Sequence, residues 1–287
     1  MFTWAVAAAT PGPGCGIMTW VSGIYDDPEL YQIACAYRDL PSEVDALLVW
    51  ASMYWEGPGA DPSGPSRVLE LAAGPAEHAL ELARRGLRPT ALDISPAMCQ
   101  WAAGRAGREG LALEVVQADM RDFKLASGPV DMAITMLNSA CHLFTLDDMI
   151  AHLGAVARAL VPGGLYIVEL AHPADYLSES AVTSSEWTIE QDGLTADVRW
   201  GGPPDAIDPV TQVTREQVRI TARYADGTTR TVTDVVPNRF WTATEINAAV
   251  RLAGGFEVAA SYGDFDQATA VDDPEAWRLI LVLRRDA

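Results

Sequence analysis

Val68-Leu69-Glu70-Leu71-Ala72-Ala73-Gly74-Pro75-Ala76-Glu77 reads as an apolar strand that runs into a turn of small residues and opens a helix. A turn of this kind, at the carboxyl edge of a parallel sheet, is where nucleotide-type ligands sit, because it brings free backbone N–H groups to the ligand. Read as the dinucleotide fingerprint G-x-G-x-x-G, positions 72, 74 and 77 are Ala72, Gly74 and Glu77. Only one glycine remains, and the Glu77 carboxylate would sit at the helix end that must receive a pyrophosphate. An oxidoreductase using NAD on a Rossmann core is therefore disfavoured. A ligand without phosphates tolerates the acid, and Asp93, roughly twenty residues beyond Ala72, is spaced to accept hydrogen bonds from ribose hydroxyls.

On both sides of this turn, short apolar runs alternate with helical segments, the pattern of a parallel α/β sheet. Strands are expected at Arg67–Leu71, Thr90–Ile94, Leu113–Gln117, Val130–Met136 and Leu165–Leu170. Ser95-Pro96 caps the helix after the second strand, Thr145 and Asp148 form a capping box before another helix, and Pro162-Gly163-Gly164 stops that helix. Upstream, residues 27–55 carry helical spacing interrupted by Pro41, with Ser42 as the expected cap. Between residues 173 and 238 the pattern changes to Thr/Val alternation with an Asp226-Gly227 turn, which predicts an inserted antiparallel sheet. The expected organisation is a flexible extension (1–20), a helical lid (21–60), a core (61–172), an inserted β cap (173–238) and a C-terminal completion of the core sheet (239–287).

Composition narrows the partners. The chain has 287 residues, 39 acidic against 20 basic, and a formal net charge of −19. Such a field repels nucleic acid, whose binding depends on Lys and Arg neutralising phosphates, and attracts small cations. Lys124 is the only lysine, which leaves one candidate for any lysine-dependent chemistry. Cys15, Cys35, Cys99 and Cys141 form no C-x-x-C pair, so reduced thiols, no zinc site and a cytoplasmic setting are expected. No signal peptide, membrane span or membrane partner is expected, and a homodimer is the default assembly.

With these residues in place, the chain resembles the class I S-adenosylmethionine-dependent methyltransferases of small molecules. Glu70 and Gly74 fit the first motif, an acid followed by G-x-G-x-G, while Ala72 and Ala76 replace its flanking glycines. Asp93 matches the acidic ribose ligand, Gln117-Ala118-Asp119-Met120 the adenine-binding segment, Pro162-Gly163-Gly164 the turn before strand five, and Ala253-Gly254-Gly255-Phe256 the closing turn. The resemblance implies a Rossmann-like, seven-stranded, mostly parallel sheet with helices on both faces, and S-adenosylmethionine as cofactor. Cofactor contacts are then expected at Glu70, Ala72, Gly74, Asp93, Ile94, Met98, Asp119, Met120 and Leu137, with Tyr25, Tyr31 and Arg38 closing from the amino-terminal side. Met98 and Met120 fit core packing equally well. The two missing glycines keep a second reading open, a catalytically weak protein that binds the cofactor.

Methyl transfer needs alignment, exclusion of water and, for some acceptors, removal of a proton. Base candidates are expected at the ends of strands four and five: His142, Glu169 and His172. Glu169 in an apolar strand end is either a substrate-facing carboxylate or a cap for the insertion. The grouping Glu169, His172 and Asp175 matches no metal geometry, and no metal is expected. Asn138, Tyr176 and Trp241 are the expected substrate contacts. A weak preference for a nitrogen acceptor over oxygen follows from the acidic field.

Overall fold

Successive side chains of a strand point to opposite faces, and this alternation builds a core on each side of the main sheet. In a computed structural model, which describes residues 23–57, 64–177, 184–191, 193–202 and 205–287, β1 (Arg67–Leu71) lies near the middle of a seven-stranded sheet. Its neighbours are β2 (Arg88–Asp93) and β4 (Val130–Thr135), both parallel to it. With β3 (Glu114–Gln117), β5 (Leu160–Ala171), β10 (Phe256–Tyr262) and β11 (Arg278–Arg285), the order is β10-β11-β5-β4-β1-β2-β3. Only β11 runs antiparallel to the rest. Strand order reverses between β1 and β4, and the crevice at such a switch point is where ligands bind in open α/β sheets.

On one face, Val68, Met132, Ile134 and Ile167 pack against Val44, Leu47 and Trp50 of α2 (Leu40–Tyr54). On the other, Leu69, Leu71, Ala133 and Val168 pack against α5 (Leu146–Ala159) and α7 (Ala243–Ala253). The cap of α2 differs from expectation: the Asp39 side chain accepts from the Ser42 N–H, and Pro41 occupies the first turn, where its missing N–H costs nothing. The fifth strand also starts earlier than expected. Leu160 already pairs with Val130, and the register slips before Leu165 meets Met132, with Gly163 at φ 74° in the irregular stretch.

The insertion is a second, four-stranded antiparallel sheet of β6 (Ser184–Gln191), β7 (Leu194–Gly201), β8 (Val213–Arg223) and β9 (Thr229–Arg239). A short helix, α6 (Ala174–Leu177), leads into it. Along β8, Thr214, Glu216, Val218, Ile220 and Ala222 are buried, whereas Arg215, Gln217 and Arg219 face solvent. The buried face receives α1 (Pro28–Ala34) and the 3-10 turn before it (Ile24–Asp26): Ile24, Leu30 and Ala34 pack on Ala196, Val198, Val218 and Ile220. Trp187 donates its indole N–H to the Ala34 carbonyl at 2.8 Å, and Arg230 pairs with Asp27 and Glu29. The first helix is thus bonded to the insertion as well as standing over the core. The flexible extension expected at residues 1–20 lies outside the described residues.

Candidate functional site

The helices that follow β1 and β2 fix the cofactor-type turn. After β1 the chain passes through three left-handed residues, Ala72 (φ 48°), Gly74 (φ 53°) and Ala76 (φ 59°), before α3 (Glu77–Arg84) begins. The two alanines hold the backbone that glycine adopts freely, at about 1 kcal/mol or somewhat more each. A Cβ at Gly74 would meet Tyr31 at 3.7 Å and Met98 at 4.0 Å, ordinary contacts, so it is the left-handed backbone rather than lack of space that favours glycine here. Asp93 ties the turn to β2: its carboxylate accepts from the Gly74 N–H at 2.7 Å and from the Ser95 N–H at 2.8 Å, one on each oxygen. The Ile94 backbone also bonds this carboxylate, and of its roughly four acceptor directions three donors leave one for a ligand. Burial pushes the Asp93 carboxyl above its ordinary range, opposed by these N–H donors. Glu77, the acid that argued against a pyrophosphate, is turned aside to Arg105 of α4 (Pro96–Glu109).

Beyond the turn lies a cavity of about 900 Å³, at the top of the roughly 300–1,000 Å³ range of ligand pockets. Of the expected cofactor contacts, Tyr25, Tyr31, Ala72, Gly74, Asp93, Ile94, Met98, Asp119, Met120 and Leu137 line it, as do His142, Asn138 and Tyr176. The cap closes the opposite wall with Trp187, Trp200, Glu216 and Asp234. On the β3 side, Asp119 is held by Arg121, which also bonds Asp148 at 2.7 Å. The Met120 carbonyl accepts from Nδ1 of buried His152, whose other nitrogen lies 2.7 Å from the Tyr166 hydroxyl. His152 thus anchors the Asp119–Met120 segment from the core. Sequence reading passed over it because a histidine among the apolar positions of α5 looks like packing.

At the end of β4, Leu137 (φ 53°) and Asn138 (φ 56°) are also left-handed. Two bonds hold them: the Leu137 N–H donates to Glu169 at 2.7 Å, and the Ala171 N–H donates to the Asn138 side chain at 3.0 Å. The next turn carries His142, whose Nε2 lies 3.0 Å from the Tyr25 hydroxyl. The imidazole also bonds the Pro237 backbone, and proline offers only a carbonyl, so the ring donates there and Nε2 keeps its lone pair. Burial lowers the His142 pKa to about 4, leaving a neutral imidazole.

Five expected site residues lie elsewhere. Glu169, 4% exposed, is absorbed by Arg278 and the Leu137 N–H and does not line the cavity. His172 accepts from the Ala174 N–H and donates to the Val271 carbonyl, which caps the exit of β5. Trp241 is a core side chain under the Arg239 guanidinium, 3.8 Å from its ring. Arg38 pairs with Glu43 instead of facing the cavity. Glu70 lies beneath the turn, accepting from the Ala79 N–H at 2.8 Å and bonding His78 at 3.1 Å. His78 also meets Glu43 at 3.0 Å. Burial works against its protonation, but the hydrogen bonds to Glu43 and Glu70 prevail and raise its pKa. Among the described residues, no group of three or more His, Cys, Asp or Glu is placed to hold a metal ion, Cys35, Cys99 and Cys141 are unbridged, and no helix is long and apolar enough to cross a membrane.

A mostly parallel sheet with its turn after β1, an acid at the end of β2 and a cavity across the switch point is the arrangement in which open α/β sheets bind ligands. Residues 68–164 match the model of a family described as a methyltransferase domain. Over those residues the chain is similar to a methyltransferase domain. YqeM of Bacillus subtilis (strain 168), assigned by name to the methyltransferases, is 30% identical over 104 residues, 36% of this chain and 42% of YqeM, so the chain spans less than half of that relative. An S-adenosylmethionine-dependent methyltransferase from Clostridium acetobutylicum shares the fold with a TM-score of 0.72 at 13% identity, over 89% of this chain and 96% of its own. The sugar N-methyltransferase KedS8 from a Streptoalloteichus species does so with a TM-score of 0.69 at 20% identity, over 98% and 100%.

Proposed function

We propose that this protein transfers a methyl group from S-adenosylmethionine to a nitrogen atom of a small-molecule acceptor. The observation that carries the reading is one cavity shared by the Ala72–Gly74 turn, neutral His142 and the aromatic wall of the cap. Backbone at Ala72 and Gly74, the remaining acceptor capacity of Asp93, and the Asp119–Met120 segment are the groups that would hold the cofactor. When bound, the cofactor supplies an already activated methyl group on a positively charged sulfur. The chain's own tasks are then to align the acceptor, exclude water and move one proton.

An acceptor amine forms its new N–CH3 bond as the S–CH3 bond breaks, and it must then lose a proton. Tyr25 and His142 are arranged for that: the phenol passes its proton to Nε2 while taking the proton of the amine. Burial keeps the Tyr25 phenol protonated at rest and the imidazole free to receive. The sugar N-methyltransferase KedS8, with which the fold is shared, is an N-methyltransferase of the kind inferred here. The helical segment from Ile24 and the inserted sheet β6–β9 serve as lid and cap over the acceptor.

The test pairs calorimetry of S-adenosylmethionine and S-adenosylhomocysteine with methyl transfer to matched amino and hydroxyl acceptors, including amino sugars. Binding of both cofactor forms and methylation of amines are expected. No cofactor binding, or methylation of alcohols alone, would overturn the proposal.

A further inference from the structure

Five carboxylates are buried among the described residues: Glu43, Glu70, Glu169, Asp205 and Glu216. Three have a cationic partner, Glu43 in Arg38 and His78, Glu70 in His78, and Glu169 in Arg278. Among the described residues the remaining two, both in the cap, have none. Asp205 is satisfied by the Gln217 backbone N–H at 2.9 Å, and its charge adds to the negative potential at Glu216. Glu216, 5% exposed, lines the cavity. One of its oxygens accepts from the Trp200 indole at 2.7 Å and the Asn238 amide at 2.6 Å, which fills both lone pairs. The other has the Thr214 hydroxyl at 3.3 Å, a long contact, and the Tyr176 hydroxyl is a further neutral hydrogen-bond partner of the carboxylate.

A buried carboxylate with only neutral partners is costly, and a cation brought by a ligand removes that cost. The surroundings suit a cation: Trp200 and Tyr176 line the same cavity, and aromatic faces attract ammonium groups. Neither cavity arginine competes. Arg121 is committed to Asp119 and Asp148, and Arg215, exposed although it lines the cavity, makes no ion pair with Glu216. Asn238 links Glu216 to the catalytic side, because its side-chain oxygen lies 3.2 Å from Sγ of Cys141, the neighbour of His142.

We propose that Glu216, with Trp200 and Tyr176, forms the recognition site for a protonated amine carried by the acceptor. The inference deepens the N-methylation reading and rests on it for the identity of the acceptor, though not for the existence of the site. Two acceptor classes follow from the chemistry: a basic amine is taken, and a neutral or anionic analogue of the same shape is refused.

The probes are benzylammonium and benzyl alcohol, similar in shape and different in charge, titrated into protein loaded with S-adenosylhomocysteine. Benzylammonium is expected to bind at least about ten-fold more tightly, consistent with a hydrogen bond to a charged group. Glu216→Gln should bring the two within about three-fold and leave S-adenosylhomocysteine affinity unchanged. In the wild type, the Trp200 indole N–H resonance should shift on addition of benzylammonium, which tests the site even if the variant folds poorly. Equal binding of the two probes to the wild type, an unmoved Trp200 resonance, or a preference that survives Glu216→Gln overturns the proposal. Failure to bind S-adenosylhomocysteine would refute the methyl-transfer reading instead, and the same titrations on cofactor-free protein would still decide the fate of Glu216.

Discussion

Replacing Glu169 by Gln separates a clamp from a catalytic base. The wild-type carboxylate bonds Arg278 with one oxygen and the Leu137 N–H with the other, and Glu169 and Arg278 are 4% and 7% exposed. A glutamine has one acceptor oxygen and one donor nitrogen. Whichever way the amide is turned, an N–H group faces either the guanidinium or the Leu137 N–H. Breaking a buried pair from one side costs about 3–5 kcal/mol. Arg278 keeps Asp264 at 3.2 Å and Glu43 at 3.9 Å, which places the expected loss at about 3 kcal/mol, the lower end of that range. At about 2–4 °C per kcal/mol for a chain of this size, the melting temperature should fall by roughly 6–12 °C. The assay is a thermal melt together with turnover per folded molecule at a temperature well below the melt. A small further loss of turnover is expected, because Leu137 and Asn138 hold left-handed backbone at the cavity wall through this clamp. A variant that melts within about a degree of wild type but turns over 10²-fold more slowly would refute the clamp and restore Glu169 as the base.

Other predictions concern Asp93 and two histidines. Asp93→Ala removes both the turn's N–H acceptor and the hydroxyl acceptor, and should weaken S-adenosylhomocysteine binding by about 1.5–3 kcal/mol in calorimetry; unchanged affinity would exclude Asp93 from the site. His78 has a raised pKa in the folded protein, so its stabilisation is fully present below its unfolded value near 6.5 and is lost as pH rises through the folded value. The melting-temperature gap between wild type and His78→Gln should therefore narrow from pH 6 to pH 9; a constant or widening gap contradicts the imidazolium assignment. His142, with its pKa lowered to about 4, is already unprotonated at neutral pH. Its titration should leave kcat/KM flat above about pH 5, and a step near pH 6.5 that disappears in His142→Gln would overturn the neutral-base role.

Much of the fold was legible in the sequence because it rests on local signals. The strand–turn–helix at Val68–Glu77, the Ser95-Pro96 and Thr145–Asp148 caps and the Thr/Val alternation after residue 210 each depend on neighbours a few residues apart. The place of Asp93 beside the turn was legible for the same reason, since its spacing from the turn is set by one helix and one strand. Tertiary structure alone decided which way the polar side chains of strand ends point. Glu169 looked like a base because an acid in an apolar strand is costly alone, yet its partner Arg278 lies far along the chain on β11. Arg38 and Glu70 met Glu43 and His78 inside rather than the ligand, and Trp241 joined the core. Glu216 was overlooked although it occupies a buried phase of β8, because alternation identifies the face of a residue and not whether a cation awaits it there. Backbone pattern is written in short-range spacing, while the pairing of buried charges is settled by distances between elements that the sequence holds far apart, as Glu43 on α2 and Arg278 on β11 show.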